Sequence, residues 1–324
     1  MNSAAAEKSA VAPSPYRAIA KFGLPLLVIA IGVVTGLREP HFLSLANAQN
    51  LARQLAPLQI VVIGQLFALL SGGLDLSVAS VMACSGVVGI LALPYTGLAG
   101  ASAAMILTGL AFGLGNGALI VGFSVSPFIV TLGMLSVAKG LSLLLTGGLP
   151  LYAVPESLVD VLGFGTAFGV PISSLVAFAA MLAGAFVLRT TIFGRHVYAV
   201  GSNEVAARNS GVRVDRVRLA VYAISGAASG LAAIVMTAWV SAAQPLAGEG
   251  MELQSIAAVV VGGVALAGGS GNMLQAFYGV LVLGLLSNAL NMAGVSSFLQ
   301  VLIVGIVILL AVIVDRLRTR TATK

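Results

Sequence analysis

Long apolar segments with few charges are the feature of this chain that most constrains its fold. A helix needs about 20 mostly apolar residues to cross the hydrocarbon core of a membrane, and ten segments of the chain approach that length. Only 8% of the 324 residues are charged and 59% are hydrophobic, whereas soluble domains carry about 25% charged residues. The runs also lack the two-residue alternation of an outer-membrane barrel. The sequence therefore predicts an all-α polytopic membrane protein.

The predicted spans form one membrane domain between two tails. Residues 1–21 are rich in alanine, serine and proline and are predicted to be a disordered cytoplasmic tail. Residues 22–315 form the membrane domain, and residues 316–324 form a basic cytoplasmic tail. The segment 255–268 is short for a full crossing, so its length stays open. The ten spans are placed at 22–37, 50–70, 75–93, 98–122, 126–146, 171–188, 219–241, 255–268, 272–293 and 297–314.

The positions of the basic residues predict how these spans are oriented. Thirteen of the 16 lysines and arginines fall in three places: the N-terminal tail, the segment 189–218 and the C-terminal tail. With ten spans, all three lie on one side, which the positive-inside rule assigns to the cytoplasm together with both termini. The opposite side receives the loops 147–170 and 242–254, which contain acids but no lysine or arginine. The net charge of +6 therefore indicates membrane orientation, and no nucleic-acid partner is expected.

The segment RTTIFGRHVYAVGSNEVAARNSGVRVDRVR (189–218) is much longer than a turn requires. Ser202 or Asn203 can cap a short helix there, because both side chains accept hydrogen bonds from free helical N–H groups. Gly211 is a natural end for that helix, and Glu204 and Arg208 are spaced to pair along it. Two interpretations remain open from the residues alone: a connector lying on anionic headgroups, or a docking helix for a cytoplasmic partner.

The sequence SGGLD (71–75) places a carboxylate between two apolar runs. The two glycines are predicted to end one helix, and Asp75 is predicted to cap the next by accepting the N–H groups of Leu76 to Val78. Those hydrogen bonds would offset a burial cost of roughly 2.5–3.5 kcal/mol. A structural cap and a direct part in a gate both remain open for Asp75.

The sequence lacks the motifs of nucleotide-binding loops, metal sites and catalytic triads. The glycine-rich GGVALAGGSGN (262–272) lacks the lysine of a phosphate-binding loop, so this chain is not expected to hydrolyse ATP. His41 and His196 lie far apart in the sequence, which leaves no material for a metal site or a catalytic triad. We therefore predict no enzyme activity, no metal and no cofactor for this chain.

The polar residues of the spans are mostly neutral, which suits a neutral polar cargo better than an ion. Each of them can equally bridge two helices, at about 0.6 kcal/mol per hydrogen bond. Asn116, Asn288 and Asn291 are the first candidates because a buried amide is costly. Asn116 and Asn288 each begin an Asn-x5-Gly-x-Ser pattern, a weak sign of a two-half repeat. The set comprises Gln65, Ser71, Ser77, Ser85, Thr108, Asn116, Thr131, Ser225, Gln254, Ser287, Asn288 and Asn291.

Four segments together resemble a known family. They are SGGLDLSVASVMA (71–83), GLGNGALIVGFSVSPFIVTLGMLSVAKGL (113–141), TIFGRHVYAVGSNEVAARNSGVRVDRVR (191–218) and ELQSIAAVVVGGVALAGGSGN (252–272). Together they resemble the membrane permease of bacterial ABC importers for monosaccharides, of the ribose, arabinose, xylose and galactose type. The main departure is GLD where family members often have GID, with Ala79 following Val78.

The resemblance implies the partners and the candidate sites. Two permease chains, as a homodimer or heterodimer, would form the channel in the bacterial inner membrane. Separate cytoplasmic ATPase subunits would bind the ATP, and a periplasmic binding protein would deliver a neutral sugar. The implied coupling residues are Gly201, Asn203, Glu204, Ala206, Ala207, Arg208, Ser210 and Gly211. The candidate gate or pathway residues are Gly72, Gly73, Asp75, Ser77, Asn116, Phe128, Asn288 and Asn291.

Other functions compete with this one. Relatives of the family carry a furanose signal molecule, nucleosides or branched-chain amino acids, so another small solute is the first alternative. An ion-coupled secondary carrier would need coupling sites, which are absent here or reduced to Asp75. A membrane enzyme is disfavoured by the lack of clustered catalytic side chains.

Overall fold

Helices make up most of the computed structural model, which describes residues 15–296, 298–303, 305, 306, 309 and 313. Residues 1–14 of the predicted N-terminal tail, the predicted C-terminal tail and part of the last predicted span lie outside the described residues. The helices are α1 (Pro15–Arg38), α2 (Leu45–Leu70), α3 (Val78–Phe123), α4 (Pro127–Thr146), α5 (Glu156–Leu158), α6 (Ile172–Thr190), α7 (Ile192–Ser202), α8 (Glu204–Asn209), α9 (Val214–Val240), α10 (Met251–Val261) and α11 (Met273–Met292). A 3₁₀ turn (Pro40–Leu43), a π-helical turn (Val159–Phe164) and the antiparallel pair β1 (Thr166–Ala167) and β2 (Val170–Pro171) complete the described elements.

Six of the described helices, α2, α3, α4, α6, α9 and α11, are long and apolar enough to cross a membrane. This confirms the prediction of an all-helical polytopic membrane protein. The count of ten crossings, the cytoplasmic termini and the two-half repeat stay predictions. The first helix begins at Pro15, earlier than the span predicted from residue 22.

Helix α3 is two antiparallel helices joined at a break. Its 46 residues would extend about 69 Å if straight, more than twice the hydrocarbon thickness of about 30 Å. Gly97 interrupts the helix with a φ of 67° and a ψ of −177°. Gly89 then packs against Met105 and the Ala101 carbonyl across the turn. The two arms, residues 78–96 and 98–123, therefore correspond to two separate predicted spans.

The core forms around α2 and α9. Nearly every residue of α2 from Leu55 to Leu70 is buried, and α9 packs beside it and against the second arm of α3. Small residues let these backbones touch: Gly109 lies against the Gly226 carbonyl, and Gly113 lies against the Tyr222 carbonyl. Such small-residue contacts are how helices pack closely in lipid.

Two non-helical segments interrupt the helical bundle. The second one changes the bounds of the span predicted at 255–268. The first, residues 71–77, separates α2 from α3. The second, residues 262–272, separates α10 from α11. The length of the predicted span 255–268, which the sequence left open, is now defined: the helix is α10, Met251–Val261, so the predicted bounds are corrected, and Gly263 adopts a φ of 91° just after the helix. With 11 residues, α10 is about 16 Å long, roughly half a crossing.

The two loops opposite the basic segment are joined to each other. Leu151 and Ala243 exchange two backbone hydrogen bonds of 2.9 Å each. Lys139 of α4 also pairs with Glu249 at 2.7 Å. The loops 147–170 and 242–254 therefore share one end of the molecule, as the predicted topology requires.

Candidate functional site

The segment 189–218 contains two helices rather than one. Asn203 caps α8 by accepting the Ala206 N–H at 2.9 Å, and Gly211 follows the helix with a φ of 84°. This confirms the predicted short helix and selects Asn203, not Ser202, as its cap. The sequence analysis missed α7, although Thr191 at its start caps it through the Gly194 N–H at 3.0 Å.

Ion pairs fasten α8 to the beginning of α9. Arg218 donates to both carboxylate oxygens of Glu204, at 3.1 and 2.6 Å, in a bidentate arrangement. Arg208 bridges Glu204 at 3.4 Å and Asp215 at 3.0 Å. The hydrogen bond to Asp215 raises the pKa of the Arg208 guanidinium, which stays charged. Glu204 and Arg208 therefore hold α8 in place, a role the sequence analysis did not separate from docking.

The outward face of α8 carries small, uncharged side chains. Val205 is 69% exposed, and Ala206 and Asn209 beside it are also exposed. Ala207 points inward and is 5% exposed. Ser210 and Gly211 extend the exposed surface beyond the helix. Sequence reasoning missed Val205, because an apolar residue on an amphipathic helix is normally the one that faces the core.

Asp75 is buried at the first break and accepts hydrogen bonds from Ser77 of the same segment and from Ser225 of α9. Its Oδ1 accepts the Ser77 N–H at 2.9 Å and the Ser77 hydroxyl at 2.6 Å, and its Oδ2 accepts the Ser225 hydroxyl at 2.7 Å. The predicted helix cap is correct only in part: Asp75 accepts one of the predicted N–H groups, that of Ser77, but α3 begins at Val78 with Ser77 in the cap position. Asp75 instead closes a turn onto its own backbone two residues later. These three hydrogen bonds offset the burial of the carboxylate.

Three further side chains hold the same break. Asn116 donates to the Ser77 hydroxyl at 2.9 Å. Tyr222 donates to the Leu74 carbonyl at 3.3 Å. The Thr131 hydroxyl lies 3.3 Å from the same carbonyl, although its shorter hydrogen bond, at 2.9 Å, goes to the Pro127 carbonyl of its own helix. Residues 71–77 are thus hydrogen-bonded to the second arm of α3 and to α9, and they contact α4.

Four glycines bring the two breaks and α7 together, and we name this contact the glycine junction: Gly72, Gly201, Gly268 and Gly269. The Gly269 N–H donates to the Leu70 carbonyl at 3.0 Å. A Cβ at Gly201 would overlap that same carbonyl, and a Cβ at Gly268 would lie 3.0 Å from the Gly72 backbone. Only glycines permit backbones to approach this closely. The junction thus links the end of α7 to both breaks.

A second connection runs from α7 to the second break. Tyr198 donates its hydroxyl to the Gly271 carbonyl at 2.8 Å. Burial raises the pKa of the Tyr198 hydroxyl, so it remains a proton donor. Residue 271 directly precedes Asn272, which caps α11 in a reciprocal capping box with Gln275. The end of α7 is therefore tied to the start of α11.

One face of α9 connects α8 to the first break. Arg218, Tyr222 and Ser225 follow one another at helical spacing, i, i+4 and i+7, and so lie on the same side. Their partners are Glu204 of α8, the Leu74 carbonyl and Asp75. From Arg218 to Ser225, this face extends about 10 Å along the axis of α9.

Several of the predicted pathway residues do not join this cluster. Phe128 is 49% exposed at the start of α4, and Asn291 is exposed. Asn288 exchanges two hydrogen bonds with Asn47, at 3.0 and 3.1 Å, near the opposite end of α2. Of the predicted gate residues, Gly72, Gly73, Asp75, Ser77 and Asn116 are brought together.

Comparisons with known proteins place the chain in a family. A family model described as "Branched-chain amino acid transport system / permease component" matches residues 47–312. A Bacillus subtilis protein named "Ribose import permease protein RbsC" is 38% identical over 309 residues, covering 91% of each chain. The Escherichia coli K12 "L-arabinose transport system permease protein AraH" is 33% identical over 93% of this chain and 92% of its own. No solved structure gives a significant match.

These matches cover most of the chain and most of each relative, so the similarity extends well beyond the four motif segments. The chain therefore belongs to the family described as the permease component of branched-chain amino acid transport systems.

Proposed function

We propose that the chain is the transmembrane permease subunit of an ATP-driven importer for a neutral monosaccharide in a bacterial inner membrane. It pairs with a second permease chain to form the translocation pathway. A separate ATPase drives it from the cytoplasm, and a periplasmic binding protein delivers the sugar. The observation that carries the proposal is the direct contact of one basic, exposed segment with both breaks of the helical bundle.

The proposed coupling begins at the outward face of α8. The ATPase docks on Val205, Ala206 and Asn209, and it binds the ATP, so this chain needs no cofactor of its own. Because Glu204 and Arg208 clamp α8 to α9, a displacement of α8 moves α9 as well. Non-helical backbone inside a bundle is where a small displacement is absorbed most easily.

The motion then reaches the two breaks by separate routes. The α9 face passes it to Leu74 and Asp75, and the glycine junction passes it to residues 262–272. Both breaks therefore respond to a single displacement at the exposed segment. We propose that residues 71–77 and 262–272 form the inner gate.

The choice of a monosaccharide is supported by the printed functions of the ribose and arabinose relatives. Neutral polar side chains in the spans fit the same cargo. A branched-chain amino acid is the second candidate, because the matching family model is described by that function. Uptake of radiolabelled ribose, arabinose, xylose, galactose and leucine with the cognate binding protein separates them. Saturable leucine uptake without sugar uptake would overturn the monosaccharide proposal.

Val205→Asp tests the docking surface. We expect it to reduce ATPase co-purification and stimulated ATP hydrolysis by about tenfold, since a charge in an apolar contact must be desolvated. Val170→Asp is the matched control, because Val170 is also exposed but lies in the loop opposite the basic segment. Equal coupling by both variants would refute docking on this face.

The energy source of uptake distinguishes an ATP-driven importer from an ion-coupled secondary carrier. We expect uptake to continue when a protonophore collapses the proton gradient and to stop when ATP is depleted. The opposite result would favour the secondary carrier.

A further inference from the structure

A cavity of about 320 Å³ lies beside the coupling segment and is used by neither route to the breaks. It is lined by Phe193, His196, Gly211, Arg213, Arg216 and Val217. The lining combines two apolar side chains with two arginines and a histidine. No acidic side chain is part of it.

The two arginines of the cavity have no ion-pair partner among the residues that the structure describes. The nearby Asp215 pairs with Arg208, and Glu204 pairs with Arg208 and Arg218. Arg213 stands at the cap position of α9 without a side-chain cap, so the positive end of a 27-residue helix adds to the field. A cavity with this lining is complementary to an anion.

The depth of the cavity indicates where that anion comes from. Phe193 lies three residues after the end of α6 at Thr190, in the first turn of α7, and Arg216 and Val217 belong to the first turn of α9. Both α6 and α9 are long and apolar enough to cross a membrane, so their neighbouring ends mark the level of the lipid headgroups. Ile192 beside Phe193 is 63% exposed and can reach the acyl chains.

We propose that this cavity binds the headgroup of an anionic phospholipid. Arg213 and Arg216 contact the phosphate, since planar guanidinium groups match phosphate oxygens in pairs. Phe193 and Val217 face the apolar side of the lipid, where the acyl chains begin. A bound lipid at Gly211 would lie directly beside α8, and so at the rim of the proposed docking surface.

The test uses the full permease chain alone in nanodiscs that contain phosphatidylglycerol and phosphatidylcholine, with native mass spectrometry of the retained lipids. We expect the protein to enrich phosphatidylglycerol. The double variant Arg213→Gln/Arg216→Gln should weaken that enrichment by about fivefold per arginine. Arg189→Gln/Arg195→Gln is the matched control, because it removes two exposed arginines of the same segment that do not line the cavity.

Three results would overturn the proposal. Equal loss in both double variants would indicate diffuse surface charge, and an unmodified protein without lipid preference would indicate no site. Unchanged lipid enrichment in Arg213→Gln/Arg216→Gln, with weaker co-purification of the ATPase subunit in a separate experiment, would assign the cavity to acidic side chains of that partner. Because the lipid assay itself contains no ATPase and no sugar, its result is independent of the proposed transport function.

Discussion

At the scale of single residues, Asp75 is a hydrogen-bond acceptor that organises a turn inside the bundle. Asp75→Asn should fold with nearly unchanged stability, because the amide oxygen still accepts from Ser77 and the amide N–H can donate to the Ser225 hydroxyl. Asp75→Ala leaves these donors unpaired, at about 1–3 kcal/mol for each buried group. Thermal unfolding in detergent should therefore show a fall of several degrees for Asp75→Ala only. An equal fall in both variants would mean that the negative charge itself is required.

Asp75 and its partners show which features can be predicted from the sequence and which cannot. The glycines and the acid in SGGLD predicted a helix break with a buried carboxylate, because both properties are local. The partner Ser225 is 150 positions away, and nothing local to either residue predicts that contact. Val205 was missed for a related reason, since only the tertiary position of α8 turns Ala207 inward and Val205 outward.

At the scale of elements, the clamp between α8 and α9 should matter for coupling more than for stability. Glu204 and Arg218 are partly exposed, so their pairing contributes no more than about 1 kcal/mol to folding. Glu204→Lys places a cation against Arg208 and Arg218 and should detach α8. We expect stimulated ATP hydrolysis and transport to fall at least tenfold with little change in melting temperature. Adding Arg218→Glu should restore part of the activity, and normal coupling by Glu204→Lys alone would contradict the clamp.

The glycine junction allows the contact between α7 and α2 to be tested by a single substitution. Gly201→Ala places a methyl group on the Leu70 carbonyl, so α7 must move away from α2, at a cost of about 1–3 kcal/mol. We expect a lower melting temperature and loss of transport. Gly122→Ala is the control, because no heavy atom lies within 4 Å of the added methyl position there. Wild-type transport by Gly201→Ala would show that this contact does not carry the motion.

At the scale of the whole molecule, the sequence was informative about topology because lipid imposes simple rules. Apolar length predicted the six described helices that are long enough to cross a membrane. The predicted topology also agrees with the contact between the loops 147–170 and 242–254. The end of the short α10 could not be placed, because hydropathy continues through residues 262–268 while glycines with positive φ follow the helix. The glycine junction was out of reach, since it joins residues from three distant parts of the chain.

The sidedness of the molecule is the last prediction, and the single cysteine makes it simple to measure. Cys84 is fully buried, so Cys84→Ser provides a background without reactive thiols. In intact cells, a membrane-impermeant maleimide should label Tyr152→Cys in the loop between α4 and α6. It should label Ser210→Cys after α8 only once the membrane is permeabilised, because the basic segment is expected on the cytoplasmic side. Both positions are exposed, so a difference reports sidedness rather than burial. The reverse labelling pattern would place the coupling segment outside the cell and would exclude a cytoplasmic ATPase as its partner.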